Sequence, residues 1–479
     1  MARTDRLHGN TPRRRAQQRF SRQNEGRFGR LFPKLAPAPE YPADRLAAAA
    51  QLMAETDAPA NPTAWGTPDA QPETGDNSSI PAAFTYFGQF VDHDVTFDAT
   101  SRLGTAADPG ALVTFRTPRF DLDSLYGSGP VDEPFQYDQE AEPKGKLLLA
   151  QPNGEFDLPR NTQQVALIGD PRNDENTIVS QLQVAFIRFH NRVLEDLAGA
   201  GVAPEAVFDE ARRSVRWHYQ WTVVHDFLKR VCGPELVDDL LEHDPTSGLP
   251  DFQLGHYKPL REDEPFMPVE FSAAAFRYGH SQVRAAYALN TTVNNVATFV
   301  PRDDVTPTDD LRGNKTLPPQ WAVDWALFIE LGTGTAPQPS RLVDGKISPP
   351  LFDLPRLPAG EQQSLPLRNL QRGQALGLPS GQDVARHLGA PPATGAELGT
   401  ELDPTPLWLY VLLEAARGGG QRLGPVGARI VAETLLGLLE RDPNSYVCEQ
   451  PGWSPTLPGS SAVDGTFGLA DILRHALRM

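Results

Sequence analysis

The segment from Asn176 to Leu197, NTIVSQLQVAFIRFHNRVLEDL, repeats apolar residues three and four apart along its length, the pattern of a helix buried in a core. A helix that long needs other elements to cover it, and further runs of the same period supply them. Pro42 opens a predicted helix, ADRLAAAAQLMAE (43–55), and Pro81 stands near the start of a second that continues through FTYFGQFVDHDVTF (84–97). Another fits from Pro204 to Val231, with Val215 and Thr222 facing inward. FSAAAFRYGHSQVRAAY (271–287) reads as a shorter buried helix; QWAVDWALFIEL (320–331), Ala428 to Glu440 and TFGLADILRHAL (466–477) are further candidates. Strand signals are sparse, and EPKGKLLLAQPNGEFDL (142–158) is the best hairpin, turning at Pro152 to Gly154. The expected fold class is mainly α with very little β structure, as one domain over residues 36–479. Its 40 glycines and 46 prolines call for much ordered loop between helices.

Charge narrows the partners. Aspartate and glutamate number 61 against 44 lysines and arginines, a formal net charge of -17, which disfavours nucleic acid and anionic membranes as partners of the main body. Residues 1–35 invert this balance, with ten basic residues up to Lys34 against Asp5 and Glu25, and read as a flexible basic arm lying on an acidic body. No apolar h-region follows Arg13 to Arg15, and no apolar run approaches the roughly 20 residues needed to cross a bilayer. A cytoplasmic location is expected, with export lacking such a signal left open. Cys232 and Cys448 are the only cysteines, so a disulfide scaffold and an all-cysteine metal site are excluded and two free thiols are the simplest reading.

Gln89 and His93, four residues apart, share one face of their helix. Alone, His93 is compatible with a core histidine bonded to an aspartate. With Gln89 beside it, the amide can hold water or peroxide while His93 takes a proton from one peroxide oxygen and returns it to the other. Asp92 and Asp94 flank His93 and cannot both share its direction. Downstream, TPRFDLDSLYGS (117–128) offers Thr117, Asp121, Asp123 and the carbonyl of Arg119, which with Asp94 form a hard-oxygen set that suits calcium better than zinc, while composition alone favours a solvated acidic turn. In DPRNDEN (170–176), Arg172 and Glu175 are either a surface ion pair or, with Arg172 buried, a cation that stabilises charge on a departing peroxide oxygen. His280 in AFRYGHSQVR (275–284) has no zinc-type partners at ordinary spacing. It reads as a core histidine or as the single axial ligand of a haem iron, a role for which His190, His218 and His225 have similar local claims. Asn369 in LPLRNLQRG (365–373) has the chemistry to accept the proton of its other ring nitrogen.

Together FGQFVDHDVTF, TPRFDLDSLYGS, DPRNDEN with IRFHNRVLEDL, AFRYGH and LRNLQRG, in this order over roughly residues 80–375, resemble the animal-type haem peroxidases of the peroxidase–cyclooxygenase superfamily, as a bacterial relative of myeloperoxidase and lactoperoxidase. Weaker likeness runs through GPVGARIVAETLLGLLERDPNSY (424–446). The resemblance implies a helical fold around haem b, with His93 as acid and base, Gln89 beside it, Arg172 as the arginine on the same side, and His280 as proximal iron ligand supported by Asn369. It implies calcium at Asp94, Thr117, Arg119, Asp121 and Asp123, the last replacing a serine common in mammalian members. Asp92 and Glu175 match carboxylates that become haem esters, and Arg372 matches an arginine beneath the haem. Asn176 replaces the methionine that gives myeloperoxidase its sulfonium link, which favours bromide, iodide, thiocyanate or a phenol over chloride as the donor oxidised at the expense of hydrogen peroxide. After LRNLQRG the chain reads QALGLPSGQDVARHLG, without the Arg-Asp-His-Gly run of the mammalian enzymes. Two alternatives stand beside the peroxidase: a haem-dependent fatty-acid dioxygenase, disfavoured because Arg277 occupies the radical-forming tyrosine's position three residues before His280, and a non-catalytic interaction protein of the same fold.

Overall fold

A computed structural model describes residues 27–55, 75–97, 117–243, 250–259, 265–300, 305–355, 362–457 and 467–478. The long periodic segment is a helix, Thr177–Gly199, whose N-cap Asn176 accepts from the Val179 amide, satisfying one of the donors a helix start leaves open. It packs against the Val207–Thr222 and Leu469–Leu477 helices and against Ala83–Val95, which carries Gln89 and His93. Phe87 and Phe90 hold this last contact. Phe90 stacks on Phe186 at 4.6 Å between ring centroids, and both meet Tyr219 edge-on at 6.0 to 6.2 Å. Each buried ring removes enough apolar surface from water to contribute roughly 1.5–3 kcal/mol. The aromatic face therefore fixes the helix while Tyr86, Gln89 and His93 point the other way, into a cavity.

The Val207–Thr222 helix continues through a π-helical turn, Val223–Leu228, into Lys229–Cys232, with Val215 and Thr222 fully buried. Helices also form at Ala43–Leu52, Leu365–Ala375 and Pro425–Glu440. The Leu407–Arg417 helix, LWLYVLLEAAR, is not among the expected helices: it opens on seven apolar residues in a row, a run that by itself does not tell a helix from a buried strand. Among the described residues, β structure is confined to four two-stranded ladders and isolated bridges, and no helix is long and apolar enough to cross a membrane.

Three expectations are corrected. The 271–287 run is not one helix: it divides into Val269–Ser272 and a 3-10 segment, Ala275–His280, broken at Ala274 (φ -135, ψ -80), and ends in a strand, Ala286–Tyr287, paired with Val296–Ala297. The 320–331 run forms only a 3-10 turn, Trp325–Leu327, because Gln320 adopts φ 67 and the Asp324 side chain captures the Ala326 amide. The expected hairpin reduces to the bridge Ala150–Asp157 around its predicted turn.

Of the basic N-terminal stretch, residues 1–26 lie outside the described residues. Its end is part of the core: Phe28–Gly29 pairs in parallel with Met267–Pro268, Leu31 and Phe32 are buried, and their amides donate to the buried Glu270 carboxylate. Cys232 is buried, Cys448 exposed, and neither is bridged.

One backbone contact positions the site directly. The turn before the long helix is clamped by Gly313 N donating to Glu175 O (2.8 Å) and Asn314 N to Asp174 O (2.8 Å), while Arg160 holds the Asp174 carboxylate in a bidentate pair. A side chain at Gly313 would overlap the Asp174 carbonyl. Gly313→Ala is expected to destabilise the protein by about 1–3 kcal/mol, the usual range for overpacking, as read by urea unfolding.

Candidate active site

Both histidines singled out by the sequence line one cavity of about 660 Å³, within the roughly 300–1,000 Å³ usual for cofactor and small-molecule sites. Gln89, Asp92, His93, Arg172, Glu175 and Asn176 line it, as do Arg277, His280, Arg368 and Arg372. Apolar wall comes from Phe276, Leu351, Leu365 and Leu376.

His93 is buried, with Nδ1 2.7 Å from Asn173 Oδ1 and Nε2 3.7 Å from Glu175 Oε1. Gln89 donates to Glu175 through Nε2 and accepts from Asn176 Nδ2 at 3.2 Å, so its amide orientation is set from both ends. Arg172 extends over the Phe97 ring, and its Nη2 donates to the carbonyls of His93 (2.9 Å) and Thr96 (2.6 Å). Nε and Nη2 also engage the buried Asp170 carboxylate at 3.1 and 2.8 Å. The guanidinium thus reaches the cavity wall as half of an ion pair rather than as an isolated cation.

Two carboxyls face the same space. Burial raises Asp92 above the usual range against the pull of Arg172 and Arg277. The Glu175 side chain is 47% exposed because the cavity admits water, yet the depth of protein around it pushes its carboxyl up to about 7, opposed by Arg172 and the Gln89 bond. The folded chain thus holds the Glu175 proton more tightly than the unfolded chain, whose value is 4.5. The sign follows: this contribution to stability is fully present below 4.5 and is lost as pH rises through about 7. Glu175→Gln should therefore gain stability relative to the native haem-free chain on going from pH about 5 to about 8, measured by urea unfolding at each pH.

His280 ends its 3-10 segment beside Asn369 of the Leu365–Ala375 helix. Burial, with help from Arg277, pushes the imidazole down to about 3, so it is neutral and available to a metal. The Asn369 contact differs in direction from the expectation. Asn369 Oδ1 accepts from Arg277 Nη1 at 3.0 Å, which turns the amide nitrogen toward His280 Nδ1 at 2.9 Å. His190, His218 and His225 are elsewhere: His190 bonds Tyr126 and the Gly145 carbonyl, His218 the Ser214 carbonyl, and His225 Tyr446.

Asp94 points away from the cavity into the core, where it meets the 117–123 loop. Carboxylate oxygens of Asp94, Asp121 and Asp123 lie within 4.8 Å of one another, a spacing one cation can bridge. Thr117 belongs to the same loop, and its buried Oγ1 has no hydrogen-bond partner among the described residues. Asp94 also accepts from Leu122 N at 3.3 Å and Ser124 Oγ at 3.4 Å. The Arg119 side chain reaches Asp442 (3.3 Å), and its backbone amide donates to Thr117 O within the loop (2.8 Å).

The family model for animal haem peroxidases matches residues 108–407. This chain belongs to that family. Chorion peroxidase of Drosophila melanogaster is 27% identical over 296 residues, 58% of this chain and 34% of that protein. Thyroid peroxidase of Rattus norvegicus is 24% identical over 71% of this chain and 39% of its own length. The chain therefore spans well under half the length of these curated relatives. Among solved structures, peroxidase A of Dictyostelium discoideum superposes with a TM-score of 0.63 over 93% of both chains at 16% identity. Fatty acid alpha-dioxygenase of Oryza sativa does so at 0.59 over 85% of this chain and 76% of that one at 15% identity. Both likenesses establish the fold.

Haem is the cofactor this family implies, and the cavity fits it: a neutral histidine for the iron, Arg368 and Arg372 for its acidic groups, and the apolar wall for the ring. Membership also gives context to residues that spacing did not single out. Asn173 and Asp170 hold His93 and Arg172, but each is read from sequence only as part of a polar turn. Tyr219, not singled out by the sequence, stands beside the carboxylate cluster. Burial raises its hydroxyl well above the usual range, and the adjacent charges of Asp94, Asp121 and Asp123 add to the effect.

Proposed function

We propose that this chain is a hydrogen-peroxide-dependent haem peroxidase that oxidises bromide, iodide, thiocyanate or a phenol. One observation carries the reading: His93 and His280 line a single cavity, each with an asparagine at Nδ1. His280 would hold the iron through Nε2. That needs the ring proton on Nδ1 and an acceptor beside it, which Asn369 would supply only with its amide turned over and Arg277 Nη1 released from Oδ1. Arg368 and Arg372 would bind the acidic groups of the haem.

Bound haem supplies the redox chemistry, taking two oxidising equivalents from peroxide and passing them to the donor. His93 Nε2 accepts the proton of the nearer peroxide oxygen and delivers it to the departing one, which leaves as water. Gln89, oriented by Asn176 and Glu175, retains a second N–H for the guest. Arg172, braced by Asp170, contributes positive charge where the leaving oxygen develops negative charge. Asp92 and Glu175 are the carboxyls that would attach the haem covalently as esters, each linkage formed at the expense of one hydrogen peroxide. Calcium is the cation proposed at Asp94, Asp121 and Asp123, with Thr117 Oγ1 and the Arg119 carbonyl completing its oxygen set.

The test supplies the haem-loaded chain with peroxide and, in turn, bromide, thiocyanate and phenol while dissolved oxygen is monitored. Donor oxidation without oxygen uptake is expected. Oxygen uptake with a long-chain fatty acid would replace this reading with a dioxygenase, despite Arg277 three residues before His280. Failure to bind haem would leave only a non-catalytic role.

A further inference from the structure

A directional hydrogen-bond chain runs from the backbone to His93. Ser124 O can only accept, and Gln183 Nε2 lies 3.4 Å from it. Gln183 therefore presents its oxygen to the next link, accepting from Asn173 Nδ2 at 2.9 Å. Asn173 in turn has only Oδ1 to offer His93 Nδ1, at 2.7 Å. Ser124, Asn173 and Gln183 are all fully buried, so water does not scramble the order. Each amide has one donating and one accepting end, so fixing the first fixes them all.

We infer that Gln183, acting through Asn173, fixes the tautomer of His93, keeping the ring proton on Nδ1 and the lone pair of Nε2 toward the cavity. Gln183 is a positioning residue: it lies on the Thr177–Gly199 helix, does not line the cavity, and acts only through Asn173. If its orienting oxygen is lost, the Asn173 amide can turn over and present its nitrogen to Nδ1. The ring then carries its proton on Nε2 and has no lone pair there for a peroxide proton. The ring Nδ1 is thus set by a backbone carbonyl three links away, in the helical turn Asp123–Tyr126 that follows Asp121. The catalytic consequence rests on the peroxidase reading; the tautomer itself does not.

The test measures the tautomer first. Full-length, haem-free chain labelled with 15N-histidine gives long-range proton–nitrogen spectra, in which the His93 ring is assigned by its loss in His93→Gln. The native chain should show the proton on Nδ1. Gln183→Met, close in shape but without the orienting oxygen, should move it to Nε2 and slow the peroxide reaction of the haem-loaded form in proportion to the Nδ1-protonated tautomer lost, by about 10²-fold where that tautomer falls to about 1%. Adding Asn173→Asp should rescue both. A carboxylate accepts at either oxygen and needs no orienting, so the double variant should return the proton to Nδ1 and recover to within about tenfold of the native rate. A purely structural loss at Gln183 would not be rescued. A native proton on Nε2, an unchanged tautomer in Gln183→Met, or failure of the rescue would overturn the inference. The expected tautomers with no reaction toward peroxide would support it while overturning the peroxidase reading.

Discussion

His93→Ala is expected to slow the reaction of the haem-loaded chain with hydrogen peroxide by about 10²–10⁴-fold while haem stays bound. The size follows from the role: a positioned base removes a proton that peroxide does not surrender readily near neutral pH. The separation of binding from reaction follows from the geometry. His93 comes from the Ala83–Val95 helix and is held by Asn173, whereas His280, Arg368 and Arg372 come from the 3-10 segment Ala275–His280 and from the Leu365–Ala375 helix. Haem titration should therefore be near native in His93→Ala. Stopped-flow mixing with peroxide provides the rate, and a native rate in this variant would remove His93 from the proton transfer.

Calcium removal is expected to have the next largest effect. Three carboxylates within 4.8 Å repel one another, and a divalent cation offsets that repulsion while supplying a partner for the buried Thr117 Oγ1. Calcium at a thousand times its dissociation constant would stabilise the fold by about 4 kcal/mol. Chelation should lower the thermal midpoint, and readdition of calcium should restore it more fully than magnesium, which demands tighter octahedral geometry. The peroxide rate should fall along with it, because Asp94 adjoins His93 on the same helix and Ser124 both donates to Asp94 and anchors the Gln183 chain. Asp94→Asn should make the protein insensitive to the chelator. A midpoint that ignores chelator and calcium alike would contradict a cation at this loop.

Helices with two distinct faces were legible in the sequence. Thr177–Gly199 and Val207–Thr222 interleave polar residues with apolar ones, so their period is visible, whereas Leu407–Arg417 opens on seven apolar residues in a row, a run that by itself does not tell a helix from a buried strand. The 271–287 run misled because its small residues suit a helix, yet strand pairing of Ala286–Tyr287 and the break at Ala274 decide its path. At the site, one helical face gathers Gln89 and His93 by local geometry alone. Bringing His280, Glu175 and Arg372 to the same cavity depends on contacts between distant segments, and only the resemblance of ordered motifs anticipated it. The orientation of Asn369 was beyond reach because it depends on which donor the fold brings to its side-chain oxygen, here Arg277 from a segment 92 residues away.

The most direct measurement is stopped-flow absorption of the haem-loaded full-length chain mixed with hydrogen peroxide, run beside His93→Ala and His280→Ala. Expected are tight haem binding and a fast peroxide-dependent change of the haem spectrum in the native chain, binding without the fast change in His93→Ala, and lost or weakened binding in His280→Ala. A native chain that takes up no haem, or binds it and gives no spectral change with peroxide, would contradict the assignment of this cavity to peroxide activation.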